Sequence, residues 1–239
     1  MCKEGGNPML KIVSIETGPA ESEGVYDDLL EWASPDKRDR AARFLHRQDA
    51  VNTLVGDLAA RSLIGAKTGL PNRSLVFQTG PQGKPYLAND PGIHFNLSHS
   101  GDLVVCAVSG QAVGADIERI ERKADADAIA KRFFSPDEIA YLAAQDDDTH
   151  AAFYQIWTMK ESYVKWSGQG LSAPLDSFSV LAMAGKAGRS GGVFFHRIPV
   201  RQDACCYVCA TAKNVSSHTH YKLSDFMART EGMLNGPTP

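Results

Sequence analysis

Three short apolar segments separated by glycine-containing turns place the strongest constraint on the fold of this chain. Residues 94–98, 103–108 and 112–120 have the length of strands, with Gly101 and Gly110 in the turns between them. Strands joined by such short turns pair with their sequence neighbour and run in the opposite direction. The sequence therefore predicts an antiparallel meander in this part of the chain.

Two carboxylates alternate with apolar residues on the last of these strands. The run Gly-Ala-Asp-Ile-Glu places Ala115 and Ile117 on one face and Asp116 and Glu118 on the other. Successive side chains of a strand point to opposite faces of its sheet. We therefore expect the carboxylates of Asp116 and Glu118 to emerge side by side while their neighbours enter the core.

A third carboxylate lies on a predicted helix over residues 150–166. Trp157, Glu161 and Lys165 repeat at intervals of four and share one face of that helix. Two strand carboxylates, a helix carboxylate and an ammonium group are what a site for a divalent cation and a phosphate needs. The alternative is a solvated strand face and a surface helix pair, which contributes only about 0.3–0.5 kcal/mol.

The composition is that of a soluble globular protein. The chain has 239 residues, of which 43% are hydrophobic and 22% charged, and its net charge is −3. Since duplex binders normally carry a basic excess, we expect no nucleic-acid partner. The apolar runs are too short to cross a bilayer and the first residues lack a signal-type segment, so we expect a cytoplasmic protein without a membrane partner.

Cysteine spacing gives no case for a metal or redox centre. Cys206 and Cys209 have zinc or redox spacing, but no second pair or histidine cluster completes a ligand set. They lie in an apolar segment that is typical of a buried strand. We therefore expect these cysteines to act as small hydrophobic residues.

The remaining elements form two rounds of helix and sheet. A first strand is predicted over residues 10–16, and a helix with Asp49 as N-cap is predicted to end at Gly65 and Gly69. A short strand is predicted over residues 75–77. Ser135 begins a further helix through a capping box.

Strands are predicted again in the second half of the chain. They are placed over residues 171–180, near 193–195 and over 205–211, and the end from residue 231 onward is predicted to fray. We therefore predict an α+β fold with subdomains at residues 1–122 and 123–239.

Several other polar groups are candidates for binding phosphate. Ser98 and His99 lie at a strand end and Lys84 lies on a turn-rich loop. A basic run over residues 37–47 includes Lys37 and Arg40. For each of these a solvated or locally hydrogen-bonded role is the alternative, and the basic run matters only beside a polyanionic ligand such as coenzyme A.

At these motifs the sequence resembles the 4′-phosphopantetheinyl transferases, specifically the larger type that activates surfactin synthetase. The resemblance covers residues 34–180 and is most specific in the two acidic motifs, Gly-Ala-Asp-Ile-Glu at 114–118 and Trp-x-x-Lys-Glu-Ser-x-x-Lys at 157–165. Other matching motifs are Gly-Lys-Pro at 83–85, Phe-Asn-Leu-Ser-His-Ser at 95–100 and Lys-Arg-Phe-Phe-Ser at 131–135. The sequence departs from the family pattern at Ala115, where a bulkier aliphatic residue is common, and at Gln169, where a lysine is common. Neither departure removes a charged site group, so they bear on fine specificity and not on the reaction.

The resemblance implies a reaction, a fold and partners. It implies transfer of the phosphopantetheine arm of coenzyme A to a serine of an apo acyl or peptidyl carrier protein, with release of adenosine 3′,5′-bisphosphate. It also implies a monomer made of a pseudo-two-fold pair of similar α+β subdomains. Each subdomain would have an antiparallel sheet packed on a long helix, with coenzyme A in the cleft between them.

The resemblance also assigns roles to individual residues. It implies that Asp116, Glu118 and Glu161 bind Mg²⁺ and that Asp116, Glu161 and Lys165 form the catalytic set. The implied coenzyme A contacts are Lys37, Arg40, Lys84, Ser98, His99 and Lys165. Either Glu161 or a water held by the cation is the base that takes the proton of the carrier serine.

Two rival functions are consistent with the same residues. Another Mg²⁺-dependent phosphoryl or nucleotidyl transferase would share the three acids without needing coenzyme A or a carrier. A non-catalytic carrier-binding module would bind the carrier without changing its mass. The smaller holo-carrier synthases have about half this length, so the length favours the larger type. The sequence does not specify the carrier.

Overall fold

Two long helices, each packed on its own sheet, organise the chain. The computed structural model describes residues 9–19, 24–90, 92–121, 125–145, 149–170, 173–185 and 192–234. The helices are α1 (Val25–Trp32), α2 (Pro35–Ala41), α3 (Arg47–Thr68), α4 (Ala126–Phe133), α5 (Pro136–Ala143), α6 (Thr149–Ser167), α7 (Val180–Ala184) and α8 (Leu223–Leu234). The strands are β1 (Leu10–Glu16), β2 (Phe77–Thr79), β3 (Pro85–Leu87), β4 (His94–Ser100), β5 (Leu103–Ser109), β6 (Val113–Arg119), β7 (Phe194–Arg197), β8 (Ala204–Ala210) and β9 (Val215–Lys222).

The first sheet has the strand order β4-β5-β1-β9. Its neighbours pair antiparallel except for β1 and β9, which run parallel. Helix α3 covers one face of this sheet and packs against Val104, Cys106 and Val108, which alternate along β5. The period of two in β5 therefore directs half of its side chains to α3 and half to the opposite face.

The second sheet has the order β6-β8-β7 and is antiparallel throughout. Helix α6 packs on it, with Phe153 and Ile156 in the same core cluster as Tyr207 of β8. The small sheet of β2 and β3 lies in the connection between α3 and β4. The second half thus repeats the arrangement of a sheet covered by one long helix.

The two sheets pack face to face. Leu103 and Val105 of β5 lie in one buried cluster with Ala115 and Ile117 of β6 and Val208 of β8. The layers follow the order helix, sheet, sheet, helix, because each strand side chain faces either the other sheet or its own helix. The predicted α+β fold, with a sheet packed on a long helix in each half, is confirmed.

The predicted meander is correct only for its first two strands. β4 and β5 pair as expected, but β6 pairs with β8 and belongs to the second sheet. The reason lies at Gly114, where an added Cβ would lie 2.0 Å from the carbonyl oxygen of Ser162 in α6. The absence of a side chain lets the backbone of β6 lie directly against α6.

Several predicted boundaries differ from the structure. Helix α3 begins after His46 rather than at Asp49, and it continues through Gly65 to end at Gly69, whose φ is 73°. Its end therefore depends on the left-handed backbone of Gly69. The strand expected over residues 75–77 begins instead at Phe77.

The strand predicted over residues 171–180 is wrong for the part that the structure describes, which begins at residue 173. A 3₁₀ turn at Leu175–Ser177 precedes α7. The hydroxyl of Ser179 accepts a hydrogen bond from the backbone N–H of Ala182 and caps α7. Ser and Pro in this segment favour such caps and turns over a strand.

The last two elements were not predicted. β9 lies at the edge of the first sheet and most of its side chains are at least partly exposed and polar, so it lacks the alternation of a half-buried strand. Helix α8 continues to Leu234, beyond the predicted fraying at residue 231. The chain therefore returns to the first sheet, while the boundary between residues 122 and 123 stays a prediction.

Other local predictions are confirmed. The backbone N–H of Ser135 donates to Glu138 at 2.9 Å in the predicted capping box. Cys205, Cys206 and Cys209 are buried and unpaired on β8, and burial raises the pKa of each thiol. Among the residues described, no helix combines the length and apolar character needed to cross a membrane.

Candidate functional site

The acidic face of β6 points toward α6 and is not a solvated surface. Asp116 is only 3% exposed although it carries a carboxylate. Its neighbours Ala115 and Ile117 enter the core between the sheets, so alternation directs Asp116 to the side of the strand that α6 covers. The alternative of a solvated strand face is therefore wrong for Asp116.

Lys165 and Ser98 both bind Asp116. The ammonium of Lys165 lies 2.6 Å from Oδ1 of Asp116, and the hydroxyl of Ser98 donates to the same oxygen at 2.9 Å. Lys165 also donates to Oγ of Ser98 at 3.1 Å. Three side chains from β4, β6 and α6 thus meet at one carboxylate oxygen.

The second oxygen of Asp116 has no partner. Oδ2 is buried and makes no hydrogen bond among the residues that the structure describes. A buried charged oxygen without a partner costs free energy of folding and calls for an explanation, such as a cation that binds there. A carboxylate oxygen is a ligand type that Mg²⁺ prefers.

Polar residues of β4 hold β6 in place along its length. Asn96 accepts a hydrogen bond from the backbone N–H of Ala115 at 2.7 Å, and Ser100 donates to Glu118 at 3.0 Å. With Ser98 they form a row of three alternate β4 side chains, each bonded to β6. Asn96 and Ser100 were not predicted as site residues, although they alternate with Ser98 in the sequence at a period of two.

Glu161 shares the electrostatic field of the two strand acids. Burial is the largest cause that raises the pKa of Glu161. The negative charges of Asp116 and Glu118 also raise it, and the ammonium of Lys165 opposes the shift. Lys165, one helical turn after Glu161 on α6, bonds to Asp116, and Glu118 lies two residues after Asp116 on β6. The structure thus brings the three predicted metal ligands into one region.

The three acids are nevertheless not arranged as a ready ligand set. No group of three or more His, Cys, Asp or Glu side chains in the described part of the chain has the spacing of a metal site. Instead, the ammonium of Lys165 occupies the position beside Asp116. The oxygen donors and the unpartnered Oδ2 suit a hard cation, whereas the spacing of the three carboxylates is not that of a bound state.

A cavity of about 260 Å³ lies beside these residues. Asn96 and Leu97 of β4 form one wall, and Glu161 and Lys165 of α6 form another. The loop of residues 82–85 closes a third side, and Gly168 and Gly170 lie at the end of α6. A larger cavity of about 520 Å³ between α1, α2 and residues 72–77 contains none of the predicted site residues.

Lys84 lines the cavity, and its ammonium donates hydrogen bonds to two backbone carbonyls. Nζ donates to the carbonyl oxygen of Val113 at 2.9 Å and also to that of Lys165. Burial is the main cause that lowers the pKa of Lys84 to about 8, and the nearby ammonium of Lys165 contributes to this shift. Lys84 therefore joins the first residue of β6 to the last turn of α6.

The predicted coenzyme A contacts divide into two groups. Partial burial is the main cause that lowers the pKa of His99; the charge of Asp49 opposes the shift, and the charges of Lys165 and Arg40 add to it. Lys37 instead approaches the buried Asp57 of α3, with Nζ 3.8 Å from Oδ1. The structure thus places His99 within the electrostatic influence of both Lys165 and Arg40, and it pairs Lys37 with Asp57 of α3.

Trp157 packs against aromatic side chains of the second helix core. Its ring stacks on Phe153 at 6.1 Å between centroids and meets the edge of Phe133 at 6.0 Å. It therefore fixes α6 against α4 and the helix core, while Glu161 and Lys165 on the same helix reach the site.

Comparison with known proteins shows the family of the chain. A family model described as the 4′-phosphopantetheinyl transferase superfamily matches residues 112–211, and one described as 4′-phosphopantetheinyl transferase, N-terminal, matches residues 19–111. The chain is 43% identical over 172 residues to the 4′-phosphopantetheinyl transferase Sfp of Bacillus subtilis strain 168, covering 72% of this chain and 76% of that protein.

Two further relatives carry the same name. The chain is 40% identical over 174 residues to the 4′-phosphopantetheinyl transferase psf-1 of Bacillus pumilus, covering 71% of this chain and 74% of that protein. It is 34% identical over 172 residues to the 4′-phosphopantetheinyl transferase gsp of Aneurinibacillus migulanus, with coverage of 71% and 70%. The chain belongs to the 4′-phosphopantetheinyl transferase family and is an enzyme of that family.

Proposed function

We propose that the chain transfers the 4′-phosphopantetheine arm of coenzyme A to a serine of an apo acyl or peptidyl carrier protein. The products are the holo carrier and adenosine 3′,5′-bisphosphate, and the reaction depends on Mg²⁺. The observation that carries the proposal is the buried Asp116 carboxylate, with one oxygen bound to Lys165 and the other unpartnered, in a chain of this family.

The bonding changes are those of a phosphoryl transfer. The serine oxygen of the carrier forms a bond to the β-phosphorus of coenzyme A, and the bond from that phosphorus to the bridging oxygen breaks. Adenosine 3′,5′-bisphosphate leaves with the bridging oxygen. Asp116, Glu118 and Glu161 would hold Mg²⁺, which when bound draws negative charge from the diphosphate.

Basic residues around the acids are suited to the phosphates of coenzyme A. Lys165 can exchange its contact with Asp116 for a phosphate oxygen, since both are anionic acceptors within reach of the same ammonium. The hydroxyl of Ser98 lies beside it. Arg40 is close enough to His99 for its charge to lower the pKa of that imidazole, so Arg40 is the cation on this side of Ser98, and His99 can contact a phosphate as a neutral imidazole.

Glu161 is our candidate for the base that takes the serine proton. Its carboxylate lines the cavity next to Lys165, so it is placed to accept a proton from a serine that enters there. A water molecule held in the site is the alternative base. Glu161→Gln removes the carboxylate but keeps the size of the side chain, so loading at the wild-type rate by this variant would rule out Glu161 as the base.

The test is intact mass of several apo carriers after incubation with the chain, coenzyme A and Mg²⁺. The proposal expects a mass increase equal to one phosphopantetheine arm, and no increase when a chelator removes the cation. Carrier binding without a mass change would contradict the proposal and favour a binding module. Transfer of a different group from another nucleotide would favour another Mg²⁺-dependent phosphoryl or nucleotidyl transferase.

We further propose that the chain acts as a cytoplasmic monomer without nucleic-acid or membrane partners. The net charge of −3 supports the absence of a nucleic-acid partner, since such partners attract a basic surface. Light scattering of the purified chain tests the monomer, and fractionation of the source cells tests the compartment. A dimer mass or a membrane-bound fraction would contradict these proposals.

A further inference from the structure

The loop before β3 contacts both elements that carry the site residues, β6 and α6. Asp116 and Glu118 lie on β6, whereas Glu161 and Lys165 lie on α6. The relative position of β6 and α6 therefore sets the distances between these two pairs of charged groups. A residue that bonds to both elements therefore helps to set the geometry of the site.

Lys84 makes such a contact. Its ammonium donates to the carbonyl oxygen of Val113, the first residue of β6, and to that of Lys165, near the end of α6. The carbonyl of Lys165 is among the last of α6, which have no acceptor role inside the helix and carry its negative dipole end. A cation placed there both satisfies the carbonyl and stabilises the last helical turn.

The backbones of β6 and α6 are in direct contact close to this lysine. A Cβ added at Gly114 would lie 2.0 Å from the carbonyl oxygen of Ser162 and 2.3 Å from the backbone nitrogen of Trp166. Gly114 follows Val113 directly, so the contact and the Lys84 hydrogen bond occupy the same end of β6. The glycine permits the close approach, and the lysine links the two backbones across it.

We propose that Lys84 is a positioning residue, which fixes the end of α6 against β6 and thereby sets Lys165 and Glu161 relative to Asp116. This inference rests on the proposed function. It differs from the direct coenzyme A contact that the sequence resemblance implies for Lys84, because two of the three ammonium donors are used by backbone carbonyls.

The hydrogen bonds of Lys84 favour this role over phosphate binding. Two backbone carbonyls already accept from its ammonium, so a phosphate would have to displace one of them or share the remaining donor. The ammonium is also partly buried, and burial and the charge of Lys165 lower its pKa to about 8. In addition, Pro85 follows Lys84 and stiffens the loop that carries it, which suits a fixed link.

The two roles predict different kinetics for Lys84→Met, which keeps the length of the stem but lacks the donors. Loss of positioning lowers kcat by about tenfold or more, because small displacements of reacting groups have large effects on rate. The KM for coenzyme A should then change less than about twofold. A direct contact instead raises the KM for coenzyme A with little change in kcat.

A chemical rescue separates positioning from general damage to the fold. Lys84→Cys treated with 2-bromoethylamine regains an ammonium on a stem of the same length, and this should restore kcat. Treatment with 1-bromopropane restores the stem without the charge and should not. Wild type treated in parallel controls for other cysteines, and Lys213→Met, at an exposed lysine outside the site, controls for loss of a surface charge.

A measurement independent of turnover completes the test. Amide hydrogen exchange in Lys84→Met should become faster in residues 113–118 and 165–168 and stay unchanged in α3. Wild type that loads no carrier would refute the proposed function, and the exchange result would still decide the inference. Unchanged exchange, or a raised KM for coenzyme A with normal kcat, would overturn the positioning role.

Discussion

Gly114→Ala tests whether the direct contact of β6 with α6 builds the site. The added methyl group would start 2.0 Å from the carbonyl oxygen of Ser162 and 2.3 Å from the nitrogen of Trp166. Carbon and oxygen rarely approach closer than about 3.0–3.4 Å, so β6 and α6 must separate by about 1 Å or more. Both neighbours are backbone atoms, which cannot turn aside as a side chain can.

The expected magnitudes follow from this displacement. Overpacking of a buried contact costs about 1–3 kcal/mol, which lowers Tm by roughly 2–12 °C for a chain of this size. A shift of about 1 Å in reacting groups lowers the rate of carrier loading by up to about a hundredfold. Activity should therefore fall further than stability alone explains.

Gly56→Ala is the matched control for this substitution. Gly56 lies inside α3, and its added Cβ would meet only Leu97 and Val104 side chains at 3.7–3.8 Å, which is ordinary contact. Alanine in a helix interior stabilises by about 0.5–1 kcal/mol. Thermal unfolding and carrier-loading rates are measured for both variants and for wild type, and only Gly114→Ala should show a lower Tm and a lower rate. Normal Tm and loading in Gly114→Ala would refute the reasoning.

Two further predictions concern buried charges. Glu138→Gln breaks a fully buried ion pair with Lys160, whose ammonium lies 2.8 Å away, and should cost about 3–5 kcal/mol in urea unfolding. Adding Lys160→Met should recover part of that loss, and an additive loss would contradict the pairing. Since the folded chain raises the pKa of Glu161, it retains that proton to higher pH than the unfolded chain. The free energy of unfolding of the metal-free chain should thus fall as pH rises from the ordinary Glu pKa through the raised pKa of Glu161. Glu161→Gln should remove this part of the pH dependence. Identical pH profiles for both proteins would contradict it.

Local patterns in the sequence predict local structure well in this chain. The alternation around Asp116 defines β6, and the spacing of Glu161 and Lys165 defines one face of α6. The capping box at Ser135 defines the start of α5. Each of these features depends on residues within a few positions of one another, so the sequence carries its signal directly.

Long-range arrangements were less predictable for physical reasons. The switch of β6 into the second sheet depends on the contact of Gly114 with α6, and a lone glycine does not indicate its distant neighbour. β9 was missed because an exposed edge strand needs no apolar alternation. The partners of Lys84 are backbone carbonyls, which any residue supplies, so no sequence pattern distinguishes them.

In the candidate site too, the identity of the residues could be predicted from local patterns, whereas their contacts could not. Ser98, Asp116 and Lys165 were predicted as site residues, and the structure brings all three together. Their direct hydrogen bonding to one another was not predicted, because it requires β4, β6 and α6 to meet. The hydrogen bonds of Asn96 and Ser100 to β6 were not predicted for the same reason.

The most direct test of the account is the mass of an apo carrier after reaction with Asp116→Asn, coenzyme A and Mg²⁺. The substitution keeps the size of the side chain but removes the buried carboxylate that carries the proposal. Asp127→Asn, at an exposed position of α4, is the control. We predict complete loading by wild type and the control, and none by Asp116→Asn or by wild type with a chelator. Loading by Asp116→Asn at the wild-type rate would contradict the account.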